Sequence, residues 1–261
     1  MSESKISFDD GQAYENYMGV WSRTAGVQFL DWLMPEPGQA WADIGCGNGA
    51  FTQILVDRCQ PRAIHGFDTS PQQITYARSR FASGLVDFQQ GDAMELPLPD
   101  ACVDQAVMAL VIFFVPEPSR GVAEMARVLR HGGSASAYAW DFLEGGFPWA
   151  AIHDAMGTVN YLPARPPSPR ASELPEMERL WRATGFVEVQ TQVLHVERQF
   201  PDFDTYFQIA LTGPSVRAIV AGLGEDDLQA IRGAAFANLG APTGCFLVPA
   251  RAHAVKGRRP F

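Results

Sequence analysis

The stretch Ala42-Asp-Ile-Gly-Cys-Gly-Asn-Gly-Ala-Phe-Thr52 decides the fold. It follows the apolar run Ala40–Ala42 and opens an amphipathic one, which predicts a strand, a glycine hairpin and the first turn of a helix. Gly45, Gly47 and Gly49 remove β-carbons at the bend, so the backbone can turn tightly and press against a ligand. The helix that follows adds unbonded N–H groups and a partial positive charge. Asp43, two residues before the first glycine, separates this loop from a phosphate cradle. A carboxylate there repels a pyrophosphate and suits an ammonium group. Gly45-x-Gly47-x-Gly49-Ala50 matches the dinucleotide fingerprint in part, so that reading stays open on this segment alone. The P-loop is excluded, because no Gly-Lys-Ser/Thr closes the hairpin. A glycine turn with no ligand is the plain structural alternative.

Outward from the loop, strands and helices alternate. Phe51, Ile54 and Leu55 mark the apolar face of a helix ending near Cys59-Gln60-Pro61. Ala63–Phe67 reads as a second strand ending at Asp68. Ser70-Pro71-Gln72-Gln73 is a capping-box start for a helix with the stripe Ile74, Ala77 and Phe81. Val86–Gln90 is a third strand closed by Gly91-Asp92, and Val103–Val111 a fourth, apolar enough for burial on both faces. Val122, Met125, Ala126 and Leu129 form the next helical stripe, stopped by Gly132-Gly133, and Ser134–Trp140 is a fifth strand.

Glu173–Thr184 reads as a helix, with the stripe Leu174, Met177, Leu180 and Trp181. Val187–Val196 is a strand, and Cys245–Val255 the final, antiparallel one. The expectation is an α/β fold: a doubly wound, seven-strand, mostly parallel, Rossmann-like sheet with its last strand antiparallel and helices on both faces. Ligands in such sheets lie beyond the carboxyl ends of the strands. Asp43, Asp68 and Asp92 fall at those ends in register. Asp68 is placed to accept both hydroxyls of an adenosine ribose, and Asp92 with the Ala93 backbone to bind an adenine edge. The competing reading is that each acid caps a helix or turn.

The 261 residues fit a single domain spanning 1–261, with 1–35 as an N-terminal helical cover and 142–172 and 202–240 as insertions over the sheet. The first insertion carries Phe147, Trp149, His153, Met156 and Tyr161; the second is patterned mainly as helix. Such aromatic, charge-poor segments suit an apolar or aromatic small molecule. A net charge of −9 opposes a grip on nucleic acid, and the basic tail Lys256–Arg259 is a solvated end. No apolar run approaches a membrane span, and Met1–Gln12 is too polar for a signal peptide. Cys46, Cys59, Cys102 and Cys245 form no CxxC pair and have no histidine at zinc spacing. They read as reduced thiols of a cytoplasmic protein, monomer or homodimer, with no metal.

This pattern resembles the class I S-adenosylmethionine-dependent methyltransferases, in particular the quinone-biosynthesis-like (type 11) subgroup, from about Tyr14 to Val189. Asp43–Gly49 is similar to the family's first motif, Gly66-Phe-Asp68-Thr-Ser70 to its ribose segment, and Gly91–Asp100 to its adenine segment. Val103-Asp104 opens the fourth strand and Val128–Gly133 is similar to the turn before strand five. The resemblance implies S-adenosyl-L-methionine as cofactor. Asp43, Gly45, Cys46 and Gly47 would hold its methionine end and Asp68, Thr69 and Ser70 the ribose. Asp92, Ala93 and Met94 would hold the adenine, with Ala109 and Leu110 passing beneath the methionine portion. Tyr14–Arg23 resembles a leading segment folded over the donor, in which Tyr17 and Trp21 close the site and Arg23 pairs with the methionine carboxylate. Tyr17 and Trp21 equally suit plain packing of the first helix on the sheet.

One departure is Phe113-Phe114, where many members carry histidine. No Asn/Asp-Pro-Pro-Tyr motif points to DNA bases and no cysteine pair to RNA ring carbons, so a small-molecule acceptor is expected. A base is needed only for a hydroxyl or activated carbon, and the candidates are His153 and Tyr138 with Asp141 behind them. The rival functions are a nicotinamide oxidoreductase, which the position of Asp43 and the Asp92 segment oppose, and a donor-binding protein without transferase activity.

Overall fold

Trp41 faces one side of the central strand and Ala42 and Ile44 the other, all of them fully buried. That two-sided burial requires helices on both faces. The computed structural model describes residues 15–81 and 84–261. Expectations on residues 1–14, Tyr14 among them, lie outside the described residues. After a π-helical turn, Glu15–Gly19, come α1 (Val20–Leu33), β1 (Ala40–Ile44), α2 (Ala50–Cys59), β2 (Ala63–Asp68), α3 (Pro71–Arg80) and β3 (Val86–Gln90). Then follow β4 (Val103–Ala109), α4 (Pro118–Val128), β5 (Leu129–Trp140), α5 (Ala150–Met156) and α6 (Leu174–Ala183). The chain closes with β6 (Val187–Phe200), α7 (Phe203–Leu211), α8 (Pro214–Val220), α9 (Glu225–Asn238) and β7 (Phe246–Arg258).

The seven strands form one sheet in the order β3-β2-β1-β4-β5-β7-β6. Strands β1 to β5 pair in parallel, and β7 runs antiparallel to both β5 and β6. One core lies against α1 and α2, through Phe29, Leu30, Phe51 and Leu55. The other lies against α4 and α6, through Val122, Met125, Met177 and Trp181. Each such side chain contributes about 1.5–3 kcal/mol on burial. The Trp181 indole N–H donates to the Ala135 carbonyl at 3.0 Å, which fastens α6 to β5.

β6 runs to Phe200 rather than Val196 and β7 to Arg258 rather than Val255, so Lys256–Arg258 are sheet residues and not a solvated end, with the Lys256 ammonium over the Trp32 ring at 4.5 Å. Two further boundaries differ from the sequence reading. Gly132-Gly133 does not stop α4. The helix ends at Val128, Leu129 turns extended and pairs with Val103, and both glycines sit within β5 where its register against β4 shifts. A β-carbon on Gly133 would meet the Asp104 carbonyl at 2.8 Å, so the irregular start of the strand needs that glycine. β4 stops at Ala109 rather than Val111, because Leu110 adopts φ +62° and a 3₁₀ turn, Ile112–Phe114, follows.

The β6–β7 ladder runs on past Trp140 to Phe200 opposite Phe246, an overhang of roughly 20 Å at about 3.4 Å per residue. Helices α7 to α9 fill the connection between its strands, and α9 packs on α5, where the Asn238 amide donates to the Ala151 carbonyl at 3.1 Å.

In the hairpin after β1, a β-carbon on Gly45 (φ +75°) would overlap the Val111 side chain, whereas one on Gly47 (φ +52°) meets nothing within 4 Å. Gly45→Ala should therefore lose about 2–4 kcal/mol of unfolding free energy and Gly47→Ala only about 1–2 kcal/mol. Urea denaturation of both variants checks this; equal losses would contradict the assigned packing.

Candidate functional site

β1 has β2 on one side and β4 on the other, so the strand order reverses at its carboxyl end. Open α/β sheets leave a crevice at that point. Asp43, paired with Gly66 of β2 and Val107 of β4, sits at the crevice floor and is fully buried. Thr52, in the first turn of α2, donates its hydroxyl to Asp43 Oδ2 at 2.6 Å. Asp43 Oδ1 has no hydrogen-bond partner among the described residues. Burial pushes this carboxyl up from 3.8 to about 7, with the Thr52 hydrogen bond working against the shift and the charge of Asp68 adding to it. At ~1.4 kcal/mol per unit, ionising Asp43 in the folded chain costs roughly 4 kcal/mol. The folded chain holds this proton more tightly than the unfolded one. The cost is therefore absent near pH 4, grows as pH rises and is complete above about pH 7.

The glycine loop is tied down from the neighbouring strand. Gly45 and Cys46 N–H both donate to the Phe67 carbonyl, at 2.7 and 2.8 Å. Gly47 N–H donates to Asp68 Oδ2 at 2.9 Å, and Asp68 Oδ1 takes the Ser70 N–H at 2.9 Å. Each of these oxygens keeps a lone pair for a further donor. Burial raises Asp68 while its backbone hydrogen bonds lower it. Ser70 caps α3 through Gln73 N–H at 3.3 Å, as the capping box predicts, but Asp68 takes the N–H that the box assigns to its glutamine. Asp92 is exposed and accepts the Met94 N–H at 2.8 Å, so it caps its own turn. Ala93 and Met94 are half-buried beside it, as are Ala109 and Leu110 at the end of β4. The strained φ of Leu110 is held by its N–H bond to the Tyr138 carbonyl at 2.8 Å. Cys46 is buried, which pushes its thiol well up and leaves it neutral.

The remaining predicted residues do not gather around the loop. Tyr17 stacks on Trp149 with ring centroids 4.9 Å apart, and Trp21 meets Trp149 edge-on at 6.2 Å. Arg23 lies exposed on α1. Tyr138 is a core residue: its buried ring leans on Phe29 at 4.7 Å and Phe51 at 5.8 Å, under α1. Asp141 does not stand behind a base, since it binds the Arg251 guanidinium at 2.5 Å and the Glu144 N–H at 3.0 Å. His153 rests against Phe147 at 5.0 Å, and burial, with the charge of Arg165, lowers it to about 4. It is neutral at pH 7 and a weak base.

Three features escaped the sequence reading. Thr52 was readable in principle, as a polar residue interrupting the apolar stripe Phe51, Ile54 and Leu55. Phe142 links Phe113 (4.8 Å) to Phe147 (4.7 Å), so one run of rings leads from the end of β4 to His153. Phe200 and Tyr206 join Trp149 in a second ring group, and no local spacing announces that contact.

Residues 42–137 match the protein family described as a methyltransferase domain. The chain is 41% identical over 93 residues to 2-methyl-6-phytyl-1,4-hydroquinone methyltransferase 2 of Oryza sativa subsp. japonica, covering 36% of this chain and 27% of that protein. It is 32% identical over 122 residues to 2-phytyl-1,4-naphtoquinone methyltransferase of Synechococcus elongatus, covering 45% and 51%. The matches thus span between about a quarter and a half of these relatives' lengths. The fold is similar to that of Haemonchus contortus phosphoethanolamine N-methyltransferase 2 in complex with S-adenosyl-L-methionine, with TM-score 0.61 and 17% identity over 97% of this chain and 58% of that one.

Asp43→Asn removes the buried charge and can keep the Thr52 hydrogen bond. The ligand-free variant should be more stable than the wild type at pH 8, by roughly 2–4 kcal/mol, and the gain should fall by about 2–3 kcal/mol on going to pH 5. Urea denaturation at both pH values measures it, and a destabilised variant at pH 8 would contradict the account.

Proposed function

We propose that the chain, whose residues 42–137 match a methyltransferase domain, is a class I S-adenosylmethionine-dependent methyltransferase that transfers a methyl group to a small apolar or aromatic molecule held under residues 142–172 and 202–240. The observation that carries this reading is the orphaned Oδ1 of Asp43. A buried carboxylate oxygen with no donor fits an ammonium group, as on the methionine end of S-adenosylmethionine, and opposes the pyrophosphate of a nicotinamide dinucleotide. The open space beside Gly47 fits a ligand lying along the loop.

In this reading Asp43 and the loop Gly45-Cys46-Gly47 hold the methionine end. Asp68, positioned by Ser70 and followed by Thr69, accepts from the ribose hydroxyls. Asp92, Ala93 and Met94 border the adenine, and Ala109 and Leu110 line the floor. The donor brings a sulfonium-activated methyl group, so the chain's own work is alignment and exclusion of water, worth up to roughly 7–11 kcal/mol. The rings from Phe113 to Phe147 keep the acceptor side apolar. His153, neutral at the end of that run, takes the acceptor proton where the acceptor is a hydroxyl, with limited driving force given its low basicity. Two relatives are named as hydroquinone and naphthoquinone methyltransferases, which supports an aromatic acceptor. No helix among the described residues is long and apolar enough to cross a membrane. Its free cysteines fit a reducing, cytoplasmic setting.

Labelled methyl donor incubated with a panel of phenols, hydroquinones and amines tests the reading. Product should form, Asp68→Ala should weaken S-adenosylhomocysteine binding about 30-fold, or ~2 kcal/mol, and His153→Gln should slow turnover without changing that affinity. Donor binding with no transfer to any acceptor class would favour a binding protein, and absence of donor binding would refute the proposal outright.

A further inference from the structure

Thr24, Thr75 and Thr184 each donate to the carbonyl four residues behind them, those of Val20, Pro71 and Leu180, at 3.0, 2.8 and 2.9 Å. That backward bond is the ordinary way a helix satisfies a threonine hydroxyl. Thr52, in the first turn of α2, does something else. The carbonyl four residues behind it, that of Asn48, takes an Arg80 Nη1 hydrogen from the end of α3 at 3.0 Å. The Thr52 hydroxyl crosses instead to β1 and gives its hydrogen to Asp43 Oδ2 at 2.6 Å. Both residues are fully buried. A hydroxyl placed in the apolar stripe of Phe51 and Leu55 is costly unless paired, and a hydrogen bond to a carboxylate is stronger than one between neutral groups. The other carboxylate oxygen, Oδ1, has no partner among the described residues.

Building on the methyltransferase reading above, we infer that Thr52 is a positioning residue for the methyl donor: it fixes the Asp43 carboxylate through Oδ2 and leaves Oδ1 as the oxygen that meets the ligand's ammonium group. Arg80 supports this at one remove, because the Asn48 carbonyl it occupies is the one to which the hydroxyl would otherwise turn back. Without the hydroxyl, both oxygens of Asp43 would be buried and unpaired, and the group would hold its proton more tightly. The other groups packed around it give no relief. Asp68 on β2 disfavours the charge further, the Cys46 thiol in the loop is neutral, β4 sets uncharged Val107 beside the strand, and α2 contributes Thr52 itself. A protonated Asp43 lacks the charge that an ammonium group needs. Thr52 thus governs donor affinity without touching the donor, most strongly in acid and less as pH rises and Asp43 ionises unaided.

The test titrates S-adenosylhomocysteine calorimetrically into the whole chain between pH 6 and pH 8. Thr52→Val should weaken binding about tenfold at pH 6 and at most about threefold at pH 8, because Asp43 then ionises about one pH unit higher. Thr52→Ala, which removes the hydroxyl without setting a methyl group against the carboxylate, should show the same dependence on pH. Thr52→Ser keeps the donor and should stay close to the wild type throughout. In the ligand-free chain, the carbon-13 carboxyl signal of Asp43 should titrate about one pH unit higher in Thr52→Val than in the wild type. A merely structural role for Thr52 would give the same loss at every pH. That result, an unmoved Asp43 titration, or a serine variant as weak as the valine one overturns the inference while the methyltransferase reading stands. No binding by the wild type at any pH refutes that reading, and the role of Thr52 falls with it.

Discussion

A carboxylate buried with one hydrogen bond is the constraint around which the rest of this molecule is arranged. Asp43 stands at the end of the central strand, where the strand order departs to opposite sides, and among the described residues only the Thr52 hydroxyl answers it. An isolated buried charge is among the costliest things a fold can contain. Here it persists because the sheet fixes it from both sides and the glycine loop closes over it. Asp68 ties that loop to β2 through Gly47, so two acids at neighbouring strand tips share one piece of backbone. Their proximity is itself part of what raises Asp43.

Most of the sheet was legible because its signals are local. Apolar runs of strand length, glycine bends and the Ser70-Pro71 helix start each depend on a few adjacent residues, and β2, β3 and α3 fall within a residue of their predicted limits. The errors lie where tertiary contacts override local chemistry. Gly132-Gly133 looks like a helix stop, yet serves a strand whose register shifts against β4. Leu110 sits in the left-handed region because its N–H is drawn to Tyr138, and nothing in its own side chain predicts that. The three acids were readable as strand-end residues, but the partners of Asp43 and Asp68 were not, since Thr52 and Gly47 reach them through the fold. Tyr138 and Asp141 misled for the same reason: a phenol and a carboxylate near a strand end look reactive until packing shows one in the core and the other bound to Arg251.

The two halves of the chain carry different kinds of information. The family match stops at residue 137, before the segments that pack beyond the strand tips. Those segments, 142–172 and 202–240, are mounted on a β6–β7 overhang and joined to each other through α5 and α9. Their interior is built of aromatic rings, and among the described residues the Trp149 indole N–H and the Tyr206 hydroxyl there have no hydrogen-bond partner. That contrast, an acidic floor beside an apolar, donor-bearing roof, is what a site for a cationic donor and a neutral acceptor requires.

The central claim is tested most directly by proton linkage. S-adenosylhomocysteine titrated calorimetrically from pH 7.5 down to pH 5.5, in two buffers of different ionisation enthalpy, should lose at least tenfold in affinity, because Asp43 must shed a proton of pKa about 7 to receive the ligand's ammonium. About one proton should be released per ligand at the lower pH, and Asp43→Asn should abolish both effects. Affinity that is flat across this range, with no proton release, would contradict the account.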